Sequence, residues 1–135
     1  MEIRIYHNPR CSKSRGARAL LEEAGYAVDE VRYLESGLSA VTVDGLAAAL
    51  GVEARAFMRT GDALYRQLGL ADADERAHRA ALVEHPSLLE RPIVVVGAEG
   101  SARAVVCRPP ERVWELLAAD GSGAVGADGG EGGSR

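Results

Sequence analysis

A run of four consecutive β-branched residues, Ile93-Val94-Val95-Val96, limits the possible folds of this chain more than any other feature of its sequence. Apolar residues at every position, rather than at alternate positions, are typical of a strand that is buried on both faces. Pro92 stands just before the run, where a proline does not interrupt a hydrogen-bonded ladder. Ala104-Val105-Val106 follows after a Gly-containing turn, so the two segments predict a β-hairpin.

The N-terminal part of the chain predicts a βαβ unit. Residues 2–6 alternate in polarity and indicate a strand, and Pro9 forces the residue before it out of helical geometry, which indicates a loop. A helix is expected to begin immediately after Cys11 and to stop at Gly25. Its buried face is predicted to carry Ala17, Leu20, Leu21 and Ala24, which follow the i, i+3, i+4, i+7 spacing. Residues 27–34 then predict a second, parallel strand.

The remaining segments complete an α/β fold. Residues 39–89 have helical periodicity, and Pro109 and Pro110 suit the first turn of a final helix. The order βαβ, helical insertion, ββα resembles the thioredoxin-like fold, with the insertion between strands 2 and 3. We therefore predict one domain over residues 1–119 and a disordered Gly-rich tail without chemistry over residues 120–135.

Composition excludes several classes of protein. The chain has 135 residues, 47% of them hydrophobic, and a formal net charge of -4, which argues against a general nucleic-acid binder. No apolar run approaches the roughly 20 residues that cross a bilayer, and the N-terminus lacks a signal-peptide profile, so a cytoplasmic protein without membrane contact is expected. The two cysteines, Cys11 and Cys107, are expected to be free thiols, and they are too few for a multi-cysteine zinc site.

Cys11 is the strongest candidate for a reactive group. The predicted start of a helix offers unpaired N–H groups and a positive dipole, both of which favour the thiolate. Ser14 stands where dithiol oxidoreductases carry a second cysteine, so this Cys-x-x-Ser site cannot close a local disulfide. A free cysteine is more often a small buried hydrophobe, but a junction rich in cations is the reverse of an apolar environment. The flanking potential cations are His7, Arg10, Lys13 and Arg15.

Residues 7–15, His-Asn-Pro-Arg-Cys-Ser-Lys-Ser-Arg, closely resemble the active-site loop of the ArsC family of glutaredoxin-coupled arsenate reductases. The resemblance continues to about residue 119. It includes Tyr33-Leu34-Glu35, Met58-Arg59, Tyr65-x-x-Leu68-Gly69-Leu70, His85-Pro86, Arg91-Pro92-Ile93-Val94-Val95 and Cys107-Arg108-Pro109.

This resemblance implies a set of site residues. Arg59, Arg91 and Arg108 match the three arginines that hold the oxyanion in the family; without the resemblance, each would be taken as solvated surface charge. His7 matches a histidine associated with lowering the thiol pKa, and Ser14 matches a serine associated with hydrogen bonding to the sulfur. The geometry of guanidinium groups suits a tetrahedral anion, to which they offer paired, charge-assisted hydrogen bonds.

The resemblance also implies a reaction. Cys11 would attack arsenate, glutathione would act as co-substrate, and glutaredoxin would complete the reduction to arsenite, with no metal and no tightly bound cofactor. Cys107 could be imagined as a resolving thiol, but a cysteine at the end of a buried hairpin strand is more often a packing residue.

Three alternatives have distinct sequence signatures. A transcriptional regulator similar to Spx would bind RNA polymerase, but such proteins commonly carry Cys-x-x-Cys, and Ser14 breaks that pair. A thiol-dependent reductase similar to the YffB group would act on another substrate, and the three matching arginines argue against it. A phosphatase-like arsenate reductase needs an arginine six positions after the cysteine, where this chain has Ala17.

Overall fold

The computed structural model describes residues 2–98 and 100–119. Its centre is a four-stranded sheet in the order β2-β1-β3-β4. The strands are β1 (Ile3–Tyr6), β2 (Asp29–Val31), β3 (Ile93–Val96) and β4 (Arg103–Val106). β1 pairs with β2 in parallel and with β3 antiparallel, and β3 pairs antiparallel with β4. The predicted parallel pairing of the first two strands and the C-terminal hairpin are therefore confirmed, whereas the predicted tail over 120–135 lies outside the described residues.

Helices cover both faces of this sheet. The α-helices are α1 (Ser12–Glu23), α2 (Tyr33–Ser36), α3 (Ala40–Leu50), α4 (Ala63–Gln67), α5 (Glu75–Glu84) and α6 (Val113–Ala119). Single 3-10 turns lie at Ala54–Phe57, Leu70–Asp72, Pro86–Leu88 and Pro110–Arg112. The segment between β2 and β3 is thus a helical insertion, as its periodicity predicted. Within residues 2–98 and 100–119, no helix is both long and apolar enough to cross a bilayer.

β3 divides the core into two halves, which confirms that this strand is buried on both faces. Ile93 and Val95 pack among residues of the helical insertion, whereas Val94 and Val96 pack against α1 and α6. All four side chains are 5% exposed or less. Because side chains alternate along a strand, a continuous apolar run can serve two cores at once. The fold is a three-layer α/β arrangement of the thioredoxin-like type.

The second strand is shorter than the predicted 27–34. Pairing ends at Val31, and Tyr33 begins the single helical turn of α2, which stops at Gly37 with a φ of 77°. The apolar residues of this segment are unevenly spaced and so do not alternate with the period of a strand. The helical turn instead buries Tyr33, which is only 1% exposed.

A close approach explains the glycine in the first turns of α1. A Cβ atom at Gly16 would lie 3.1 Å from the Cγ of Pro110, in the 3-10 turn that precedes α6. Alanine would favour the helix by up to about 1 kcal/mol, but a side chain here would press this turn away from α1.

Candidate active site

Cys11 is the N-cap residue of α1. Its backbone is extended, with φ -94° and ψ 123°, its N–H donates to the Asn8 carbonyl at 2.9 Å, and its own carbonyl accepts from Arg15 N at 3.0 Å. The residue is partly exposed. The predicted helix start is therefore correct to the residue, and it puts the sulfur at the positive end of the α1 dipole.

The surroundings of this sulfur favour the thiolate. Burial acts to raise the pKa of Cys11, but the backbone N–H groups of Ser14 and Lys13 and then the charge and hydrogen bond of Arg91 lower it, and the net pKa lies below the ordinary value. A thiolate stabilised by amide donors and one guanidinium is a nucleophile that remains open to solvent.

Arg91 comes to the sulfur from the loop that leads into β3. The Arg91–Pro92 peptide bond is cis, and the Pro92 carbonyl accepts the N–H of Cys107 at 2.8 Å, which ties this loop to the end of β4. The Nε of Arg91 is buried and makes no hydrogen bond within the described residues. The cation that acts on Cys11 thus belongs to a segment far along the chain.

The two other predicted arginines lie around Arg91. Arg108 Nη1 donates to the Arg91 carbonyl at 3.0 Å. Arg59 N donates to the Leu88 carbonyl at 2.7 Å, and Met58 and Leu89 form an antiparallel bridge, so the segments that carry Arg59 and Arg91 run side by side. The Arg59 guanidinium is partly exposed and lies 3.5 Å from the Asp62 carboxylate.

His7 and Ser14 form a buried pair behind the thiol. The Ser14 hydroxyl lies 2.7 Å from His7 Nδ1 and accepts the Asn8 N–H at 3.0 Å. Burial is the main cause that lowers the pKa of His7, although Glu30 acts to raise it, so the imidazole is neutral at pH 7. The structure therefore places the Ser14 amide, rather than its hydroxyl, against the sulfur, and His7 adds no positive charge there.

Ser14→Ala is expected to lower the free energy of unfolding by about 1 to 3 kcal/mol, because it leaves His7 Nδ1 and the Asn8 N–H without their partner in a buried site. Ser12→Ala, at an exposed position of the same helical turn, is the matched control and should have a much smaller effect. Denaturant unfolding of both variants measures the difference. Equal losses of stability would contradict a structural role for the Ser14 hydroxyl.

Cys107 lies in a different environment from Cys11. It is fully buried in the core between the sheet and helices α1 and α6, and its Sγ makes only a weak contact of 3.8 Å with the Val105 carbonyl. Burial raises the pKa of Cys107 to about 12, so it remains a thiol at neutral pH. These properties agree with the prediction that Cys107 is a packing residue. A resolving thiol has to ionise, and Cys107 remains protonated at neutral pH.

Cys107→Ala is therefore expected to leave the alkylation rate of Cys11 unchanged while destabilising the core by about 1 kcal/mol. Alkylation of the native wild-type protein should label Cys11 alone, which peptide mass spectrometry can establish. Slower alkylation of Cys11 in a folded Cys107→Ala variant would contradict this separation of the two thiols.

Sequence reasoning did not single out Tyr33 for a role of its own. The side chain is buried, and Arg91, Cys11 and Arg59 are among the charged groups that act on its phenol. Its signals in the sequence were its place at the end of a predicted strand and its membership of the Tyr33-Leu34-Glu35 motif in the family resemblance. In the described part of the chain, no cluster of three or more His, Cys, Asp or Glu side chains could hold a metal ion.

These features define a class of protein: a thioredoxin-like α/β protein with one activated cysteine at the start of its first helix and an arginine, Arg91, that acts on its sulfur. The chain belongs to the ArsC family, which it matches over residues 6–116. The resemblance noted in the sequence is thereby confirmed.

Similar proteins match most of the chain. The uncharacterised protein YfgD of Escherichia coli K12 is 47% identical over 119 residues, covering 86% of this chain and 97% of that protein. A protein named arsenate reductase from Neisseria meningitidis serogroup A is 44% identical over 119 residues, covering 86% and 98%. The solved structure of an arsenate reductase from Vibrio cholerae superimposes with a TM-score of 0.79 at 48% identity, covering 87% of this chain and 98% of that one.

Proposed function

We propose that this chain is an arsenate reductase in which Cys11 is the nucleophile. The observation that carries the proposal is the thiol of Cys11, whose pKa is lowered by backbone N–H groups and by Arg91 although burial opposes this. The names of relatives at 44% and 48% identity support the same substrate. An anion that binds beside Arg91 would meet a sulfur whose thiolate form the same guanidinium favours.

The first step forms a sulfur–arsenic bond. The Cys11 thiolate attacks dihydrogen arsenate, one oxygen leaves arsenic, and the two protons of the substrate leave with it as water. The product is an arsenic(V) thioester-like adduct carrying two negative charges. Arg59, Arg91 and Arg108 are proposed to bind its oxygens, because guanidinium groups remain charged throughout and donate hydrogen bonds in pairs.

The electrons come from external thiols in this proposal. Glutathione displaces a second oxygen, which leaves as water with the glutathione thiol proton and one proton from solvent, and a Cys11–arsenic–glutathione adduct forms. A glutaredoxin thiolate then attacks the glutathione sulfur, and the sulfur–arsenic electron pair passes to arsenic, which becomes trivalent. Hydrolysis releases arsenite and restores the Cys11 thiol. The Cys-x-x-Ser sequence supports an external thiol as the electron donor, since Ser14 cannot form a disulfide with Cys11.

The test is arsenate-dependent oxidation of glutathione, measured with and without glutaredoxin. We expect turnover only when arsenate, glutathione and glutaredoxin are all present. Phosphate should compete for the arginines without being reduced, because discrimination lies in the redox step rather than in binding. Absence of arsenite from the complete mixture would refute the proposed activity, whereas turnover with glutathione alone would remove glutaredoxin from the scheme.

A further inference from the structure

Tyr33 carries a hydroxyl group that the reaction described above does not use. The side chain is 1% exposed, and its oxygen makes no hydrogen bond within the described residues. In the same residues, two side-chain polar atoms are sealed from solvent without a hydrogen bond: Arg18 Nε, which forms an ion pair with Glu30, and Arg91 Nε. The unpaired Tyr33 oxygen is not one of them, so the small accessible part of this buried side chain includes its hydroxyl.

The groups whose charges act on this hydroxyl belong to the candidate active site or adjoin it. The charged groups that act on the phenol are Arg91, Cys11, Arg59 and Glu90, which include the nucleophile and two of the three arginines. α2 carries Tyr33 at its first position and packs against the Pro86–Leu88 turn, directly before the segment that brings in Arg91. A buried, unpaired polar group on which a thiolate and two guanidinium groups act points to a ligand as its missing partner.

A phenol adds a property that the guanidinium and backbone N–H groups of the site lack. Burial is the main cause that raises the pKa of Tyr33 to about 12, so the hydroxyl keeps its proton at neutral pH. Guanidinium and backbone N–H groups can only donate hydrogen bonds, whereas a hydroxyl can donate one and accept another. Dihydrogen arsenate carries protonated oxygens, for which arginines provide no acceptor.

We propose that the Tyr33 hydroxyl binds the arsenate oxygen that leaves arsenic when the Cys11 sulfur attacks. This inference rests on the proposed function. The hydroxyl accepts a hydrogen bond from this protonated oxygen in the bound substrate and donates one to it as the arsenic–oxygen bond breaks. Both protons of the departing water come from dihydrogen arsenate, and Tyr33 ends the step in its original protonated form. The phenol stabilises charge on the leaving oxygen, so its contribution belongs mainly to kcat.

Tyr33→Phe tests the inference, because it removes the hydroxyl and keeps the ring that fills the core. We expect kcat for arsenate to fall by about 10- to 100-fold. The pH profile of Cys11 alkylation by iodoacetamide should not move, since that reaction uses no leaving arsenate oxygen. Tyr6→Phe is the matched control: Tyr6 is 6% exposed in the same hydrophobic cluster, but Arg4 is the charge that acts on it. This control should retain wild-type kcat.

The outcomes separate the two proposals. Wild-type kcat in Tyr33→Phe, with the wild-type enzyme active, would overturn the inference about Tyr33 and leave the proposed function intact. A parallel loss of arsenate turnover and of alkylation rate would also overturn it, because Tyr33 would then act on the thiol or on the fold. A wild-type protein that does not reduce arsenate would refute the proposed function and this inference together.

Discussion

Cys11→Ser is expected to reduce arsenate turnover by about 10⁴-fold or more, because a serine hydroxyl is not ionised at neutral pH and cannot replace the thiolate. The residue is partly exposed and stands at the N-cap of α1, where serine is a favoured residue, so the fold should be retained. Arsenite production and denaturant unfolding, measured on the same preparation, separate loss of chemistry from loss of structure. A folded Cys11→Ser protein that still reduced arsenate with glutathione and glutaredoxin would contradict the proposed mechanism.

The Cys11→Ser variant also tests how the ionisation of Cys11 makes the free energy of unfolding depend on pH. The folded-state pKa of Cys11 is lowered relative to the unfolded chain, so the thiolate contributes stability above the unfolded pKa, ordinarily about 8.5. That contribution is lost as the pH falls through the lower folded-state value. The difference in unfolding free energy between wild type and Cys11→Ser should therefore shrink on acidification. A difference that grows toward low pH would show that the folded protein prefers the neutral thiol.

Arg91→Gln is expected to have the second largest effect. Removing the guanidinium takes away both a charge and a hydrogen bond that favour the thiolate, so the pKa of Cys11 should rise. A higher pKa lowers the thiolate fraction at a fixed pH, by up to about tenfold for each unit of the rise. Loss of a binding group for the oxyanion adds to this, and arsenate turnover should fall by about 100-fold or more. Iodoacetamide alkylation across pH measures the first effect, and steady-state kinetics with arsenate measure both.

Arg66→Gln is the matched control for this experiment. Arg66 is an exposed arginine whose Nη1 donates to the Gly61 carbonyl, and it is not among the groups that act on Cys11. Its loss should leave the alkylation midpoint and the turnover unchanged. Equal shifts in both variants would mean that Arg91 acts through the overall charge of the protein rather than through contact with the sulfur.

The features that could be predicted from the sequence are those set by neighbouring residues. The continuous run at 93–96 implied a doubly buried strand, and Pro9 followed by the apolar spacing of 17–24 located the start of α1 at Cys11. The second strand was predicted too long because its apolar residues alternate poorly, and burial of Tyr33 in a helical turn decided where pairing ends. Strong local periodicity therefore predicted elements reliably, and weak periodicity left their boundaries to packing.

The chemistry of the site depends on distances between segments that are remote in the chain. Local sequence was sufficient to predict a cysteine at a helix N-terminus, since backbone N–H groups are supplied by the helix itself. It could not show that Arg91 would lie against the sulfur, that burial would leave His7 neutral, or that the Tyr33 hydroxyl would be unpaired. Charge interactions and desolvation act through space, so the sheet and the loop before β3 had to bring these groups together before their protonation could be assigned.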